Sequence, residues 1–88
     1  MKKVLQKKQF KKDFKTAIAR GKDPQKLTKF LELYLSNKDI PEKYKLHPLR
    51  GNWKDHWDCH LEPDWLLLFT DVDDIVTLVR TGSHSDLF

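Results

Sequence analysis

The sequence predicts an α+β domain in the order strand, helix, helix, strand, strand, strand, with a two-helix hairpin packed on a small antiparallel sheet. Three observations predict it. Apolar residues recur with helical spacing on either side of Gly21. Two short apolar runs, residues 65–69 and 75–79, are separated by the turn-forming stretch Asp71-Val-Asp-Asp74. Residues 53–60 alternate between apolar and polar, the period of a half-exposed strand.

Taken in order, Lys3-Val4-Leu5-Gln6 is a short strand signal. Phe10, Phe14, Ala17 and Ile18 then fall on one face of an amphipathic helix, with lysines opposite and Gly21 as its C-terminal stop. Asp23-Pro24 starts a second helix, with a side-chain cap followed by proline in the first turn, and Leu27, Phe30, Leu31 and Tyr34 form its apolar stripe. Ser36-Asn37 ends it. Residues 39–52, with Pro41, Pro48 and Gly51 and no period, read as a long loop that carries His47. In the strand at 53–60, His56, Asp58 and His60 share the polar face and Cys59 points the other way.

Pro63 has no N–H for a sheet ladder, so Glu62-Pro63-Asp64-Trp65 reads as a tight turn. A hairpin turn centred on Val72 and Asp73 would set Phe69 opposite Val76 and Trp65 opposite Arg80. The chain beyond Arg80 then runs past Asp64 and brings His84 to it. His60, Asp64 and His84 are thus expected to meet at one sheet edge. His47 enters at the far end of the 53–60 strand and would have to fold back about 20 Å to join them.

With 88 residues the chain has room for one core, so residues 1–88 are read as one domain. Apolar residues at 39% and charged residues at 34% suit a folded domain rather than a disordered one. No apolar run approaches the roughly 18 residues of a membrane span, and no apolar stretch follows the N-terminal lysines, so the expectation is a cytoplasmic protein with no membrane partner. A lone Cys59 agrees with a reducing compartment. The net charge of +4 lies in the first half, where only Asp13 and Asp23 oppose the lysines and Arg20 before residue 30. A basic face of this kind attracts polyanions such as RNA, or an acidic protein.

Four histidines in so short a chain point to proton transfer or metal binding. RNA can be cut without a metal by a base that takes the 2′-hydroxyl proton, an acid that protonates the leaving 5′-oxygen, and cations that steady the transition state. His60, Asp64, His84 and Arg80 are the candidates for those parts. A zinc site drawn from His56, Cys59, His60 and His84 is disfavoured, because it lacks paired ligand spacing and Cys59 points away. No metal and no cofactor are therefore expected, and no phosphate-binding loop or nucleophile elbow is present.

The stretches His47-Pro-Leu-Arg-Gly-Asn-Trp-Lys, Asp58-Cys-His60-Leu-Glu-Pro-Asp64-Trp-Leu-Leu-Leu and Arg80-Thr-Gly-Ser-His84-Ser-Asp-Leu-Phe88 together resemble the YafQ-type toxins of the RelE/ParE superfamily of bacterial toxin–antitoxin systems, whose fold is microbial-RNase-like. The resemblance implies a ribosome-dependent messenger RNA endonuclease, held in check by a cognate, DinJ-like antitoxin and bound to operator DNA only in the toxin–antitoxin complex. It implies catalytic roles for His47, His60, Asp64 and His84 and substrate contacts by Trp65 and Phe88, with Arg80 and Arg50 as candidates for substrate charge. Two positions depart from the family pattern: Trp57 stands where a cation is common, and Phe69 where Tyr is usual. The first leaves transition-state charge to Arg80, Arg50 or nearby lysines. The alternative is a relative of the same fold that binds without cutting, such as a ParE-like inhibitor of DNA gyrase, which needs no histidine cluster. For Phe88 two readings stay open at this point, a base-stacking ring beside His84 or a side chain tucked beside Leu87.

Overall fold

The computed structural model describes residues 2–88. Strand β1 (Lys3–Gln6) leads into helices α1 (Lys8–Ala19) and α2 (Pro24–Leu35). A two-residue strand β2 (His47–Pro48), strands β3 (Trp57–Glu62), β4 (Trp65–Val72) and β5 (Ile75–Gly82), and a single turn of helix α3 (His84–Leu87) follow. The sheet order is β1-β5-β4-β3-β2.

Both long helices start and stop where the sequence places them. Asp23 accepts a hydrogen bond from the Gln25 amide with Pro24 in the first turn, and Gly21 takes the left-handed conformation (φ 93°) that lets the chain reverse after α1. Their apolar faces cover one side of the sheet: Phe10 and Ala17 of α1 and Leu27 and Phe30 of α2 join Cys59, Trp65, Leu67, Phe69, Val76 and Leu78 in the main core. Ile18, expected on the buried stripe, is exposed instead, because it lies at the flank of the α1 face rather than its centre.

The sheet is mixed rather than antiparallel. Strands β3, β4 and β5 form the antiparallel meander, but β1 runs parallel to β5, Lys3 opposite Ile75 and Gln6 opposite Leu78. A four-residue strand carries no mark of its direction; the helical hairpin that follows sets it. The hairpin register also departs from expectation. The turn is Asp73-Asp74, both with positive φ (53° and 62°), as a two-residue mirror-image turn requires. Strand β4 therefore runs on to Val72, opposite Ile75. Phe69 then faces Leu78 rather than Val76, and after a one-residue bulge at Val79, Arg80 faces Leu68 rather than Trp65. The second strand segment starts later and ends later than its alternation suggests, at residues 57–62, because Asp55 adopts a left-handed φ of 70° and Trp53 sits in a turn of 3₁₀ helix, Gly51–Trp53.

The other face of the sheet carries a smaller apolar cluster, Leu66, Leu68 and Leu87, with Leu49 and Trp53 packed on it. Side chains directly opposite one another in a ladder share a face. Asp58 lies opposite Leu68 and His60 opposite Leu66, so both belong to this second face, whereas Cys59 is fully buried among the helices.

Candidate active site

Three histidines line up on the second face. The His60 ring lies 6.4 Å from that of His47 and 5.5 Å from that of His84, centroid to centroid. Each arrives by a different route. His60 is on β3. His47 arrives because the loop after α2 turns back on itself and pairs with β3, His47 opposite Asp58. The 20 Å detour that the linear order suggested is therefore unnecessary. The reversal is anchored at Lys45, held in a left-handed conformation (φ 46°) after the 3₁₀ turn Glu42–Tyr44 whose Tyr44 is buried. His84 comes from α3, and the C-terminal stretch is thus an ordered helical turn rather than an extended tail. Ser83 caps it by accepting from the Asp86 amide, while Asp86 accepts from the Ser83 amide.

Two carboxylates orient the row. Asp64, in the Pro63-Asp64 turn between β3 and β4, accepts hydrogen bonds at a single oxygen from the His84 amide (2.8 Å) and from His84 Nδ1 (2.6 Å). The amide bond first, and the ring bond second, hold the Asp64 carboxyl below its ordinary pKa. Because the acceptor is an ionised carboxylate, Nδ1 carries a proton and Nε2 is left for proton exchange. His47 is fixed the same way, Nδ1 donating to the Lys45 carbonyl at 2.6 Å. Its Nε2 lies 3.5 Å from Asp58 Oδ2, and His60 Nε2 lies 3.7 Å from the same oxygen.

Asp58 is the site member that the sequence displayed without announcing. Alternation puts it on the face of His60, yet nothing in its type says that it is 4% exposed or that its Oδ1 has no hydrogen-bond partner among the described residues. Burial pushes its carboxyl up, against the opposing pull of His60, His47 and His84. A carboxyl raised in the folded state stabilises the fold below its unfolded value of 3.8 and loses that contribution as pH rises through the folded value. Asp58→Asn is therefore expected to melt higher than the parent at neutral pH, by roughly 5 °C for about 1 kcal/mol, and the gap should narrow as pH falls towards 3.8. Thermal melts across pH 4–8 check it; a variant that melts lower at pH 7 would show that the histidines repay the buried charge in full.

Two candidates are not where the sequence reading put them. Trp65 is 1% exposed and its Nε1 donates to Thr81 Oγ1 at 2.8 Å. It is a core residue, since β4 begins at Trp65 with that side chain on the helix face. Arg80 donates through Nε (2.7 Å) and Nη2 (3.3 Å) to Asp13 of α1, whose carboxylate also takes the Thr81 amide. This bond raises the Arg80 pKa and secures α1 to the end of β5, where β1 no longer pairs. Arg80 is thus a strut between helix and sheet, not a free cation over the histidines. Arg50 is exposed, lies two residues beyond the His47–Pro48 strand, and has no ion-pair partner among the described residues.

Phe88 is 59% exposed. Its ring meets Trp53 edge to face at 6.3 Å, and its amide donates to the His84 carbonyl. Leu87 alone fills the cluster beneath. The aromatic pair Trp53 and Phe88 forms a surface at the end of the histidine row, and Trp53 was not singled out in advance because its position reads as strand. No three His, Cys, Asp or Glu side chains among the described residues stand in metal-ligating geometry.

The fold and this row define a class, the small α+β toxins of bacterial toxin–antitoxin systems. Solved structures match the chain along its length: the Escherichia coli DinJ–YafQ complex at a TM-score of 0.90 and 39% identity, covering 100% of this chain and 99% of that one, and a metal-bound toxin from Helicobacter pylori at 0.92 and 39%, covering 100% of both. The chain belongs to the YafQ family of bacterial toxins of type II toxin–antitoxin systems, whose family model matches residues 2–88. It is 43% identical over 81 residues to the mRNA interferase toxin YafQ of Escherichia coli strain K12, spanning 91% of this chain and 88% of that relative.

Proposed function

We propose that this toxin is a ribosome-dependent messenger RNA endonuclease that cuts by acid–base chemistry carried on side chains, and that a DinJ-like antitoxin neutralises it. The observation that carries the reading is the row of His47, His60 and His84, in which the two outer rings each donate through Nδ1 and so keep Nε2 for proton exchange. Two such groups are what cleavage of RNA at its 2′-hydroxyl requires: one takes the hydroxyl proton as the oxygen attacks phosphorus, the other supplies a proton to the departing 5′-oxygen. His60 lies between them, near enough to both to place positive charge where the phosphorane-like transition state is most negative. Asp64 holds His84, and Asp58 holds His47 and His60 by charge. Transition-state charge that Arg80 was expected to supply falls to His60 and to Arg50. A gyrase-binding toxin would need none of this arrangement.

No helix of the described residues is long and apolar enough to cross a membrane, and a cytoplasmic site of action follows from the substrate proposed. Binding of operator DNA is assigned to the toxin–antitoxin complex alone. Expression of the toxin with primer extension on a translated and an untranslated copy of one message tests the whole reading. Cuts confined to the translated copy support it, whereas arrest of supercoiling with messages intact would overturn it. Since a relative has been solved with metal bound, the purified toxin is also assayed on ribosomes after its own treatment with chelator and desalting; unchanged cleavage is expected.

The exposed Phe88 ring stacks on a base beside the scissile phosphate, a contact typically worth about 1–3 kcal/mol. Phe88→Ala is expected to cut about tenfold or more slowly at unchanged melting temperature. A variant that melts earlier yet cuts at the parental rate would make the ring a packing residue.

A further inference from the structure

His84 sits on a helix of four residues, too short to hold itself. Leu87 anchors its far end in the second-face cluster, and Asp64 grips its first residue. The remaining hold comes from Asp86. Its Oδ2 accepts from the Ser83 amide at 2.9 Å and from Arg20 Nη1 of α1's end at 2.8 Å, while its own amide donates to Ser83 Oγ at 3.2 Å. One carboxylate thus closes the first turn of α3 and ties it to the helical layer. The fit is close: a Cβ at Gly82 would stand 3.0 Å from both Cβ and Oδ2 of Asp86, so a side chain at position 82 would crowd this carboxylate.

We propose that Asp86, braced by Arg20, is a positioning residue of the cleavage site: it sets the orientation of the α3 turn so that the His84 amide and Nδ1 meet Asp64 together. The proposal rests on the reading that His84 exchanges a proton during cleavage. The amide bond from Ser83, then the Arg20 bond, bring the Asp86 carboxyl down to about 2, so the brace is ionised at neutral pH. An exposed ion pair by itself contributes little. Here its effect is geometric, because a displacement of about 1 Å at a reacting group can lower a rate about a hundredfold.

The test pairs kinetics on ribosome-bound message with ¹⁵N NMR of the His84 ring in the free toxin. Asp86→Ala is expected to lower the rate at saturating toxin about tenfold or more at an unchanged half-saturating concentration. Its His84 ring nitrogens should move from a single Nδ1–H form towards a mixture of tautomers. Asp86→Asn keeps an acceptor for the Ser83 amide but offers Arg20 no charge, and should fall between. If Asp86→Ala does not fold, Ser83→Ala and Asp86→Asn carry the same two measurements. Folded variants with parental ring signals would overturn the proposal, even with slower cleavage. Were the parent inactive on message while the ring signals still moved, the positioning would stand and the endonuclease reading would fall.

Discussion

His84→Ala is expected to lower message cleavage by about 10²–10⁴-fold, the range that a positioned proton donor or acceptor supplies, and to leave the melting temperature where it was. The side chain is 55% exposed, so its loss opens no cavity. The hydrogen bond given up is a surface one, and the His84 amide still reaches Asp64. Binding to the antitoxin should survive, since the backbone of the α3 turn and the helical layer are untouched. Cleavage assayed beside a melting curve and an antitoxin pull-down separates these effects. A variant that cuts at the parental rate would move the chemistry to His47 and His60, and one that unfolds would make the ring a structural member of the sheet face.

Trp65→Ala is expected to destabilise the domain by about 3–5 kcal/mol, the usual result of emptying a large aromatic from a core. For a small domain that is a large share of a total of about 5–15 kcal/mol. The ring lies beneath α1 with Phe10 and Ala17 in the same cluster. Its removal also leaves Thr81 Oγ1 without the indole donor, though that hydroxyl still donates to the Leu66 carbonyl at 2.7 Å. Trp65→Phe keeps most of the volume and loses the indole hydrogen bond, about 1 kcal/mol, and should cut message normally per folded molecule. Chemical denaturation combined with cleavage corrected for the folded fraction reads both outcomes. Normal stability with lost cleavage in Trp65→Phe would return the residue to the substrate.

The meeting of His84 with Asp64 was legible because both turns involved leave local marks. Pro63 cannot donate to a ladder, and Asp73 and Asp74 tolerate the left-handed backbone of a two-residue hairpin. The register was two residues off at Phe69 and three beyond the bulge at Val79, yet the convergence held, because both shifts carry His84 towards Asp64: Leu66 pairs with Gly82 where Val79 was expected. The helices were legible for the same reason: the Asp23 cap, Pro24 and Gly21 act within a few residues of themselves. His47 was not placed by any such mark. Its position depends on a two-residue strand, and pairing that short is decided by whatever edge β3 leaves open.

What the sequence by itself determined is therefore whatever depends on neighbours along the chain: the order of the two long helices and the longer strands, the caps, the tight turns, and the common face of Asp58 and His60. Tertiary structure alone decided the parallel docking of β1, the burial of Asp58 and Trp65, and the capture of Arg80 by Asp13. Those outcomes depend on which side chains meet across the sheet and between layers. A tryptophan beside a turn aspartate reads alike as stacking surface or as core until the strand's facing is known, and an arginine reads as a free cation until a carboxylate from 67 residues away is found to hold it.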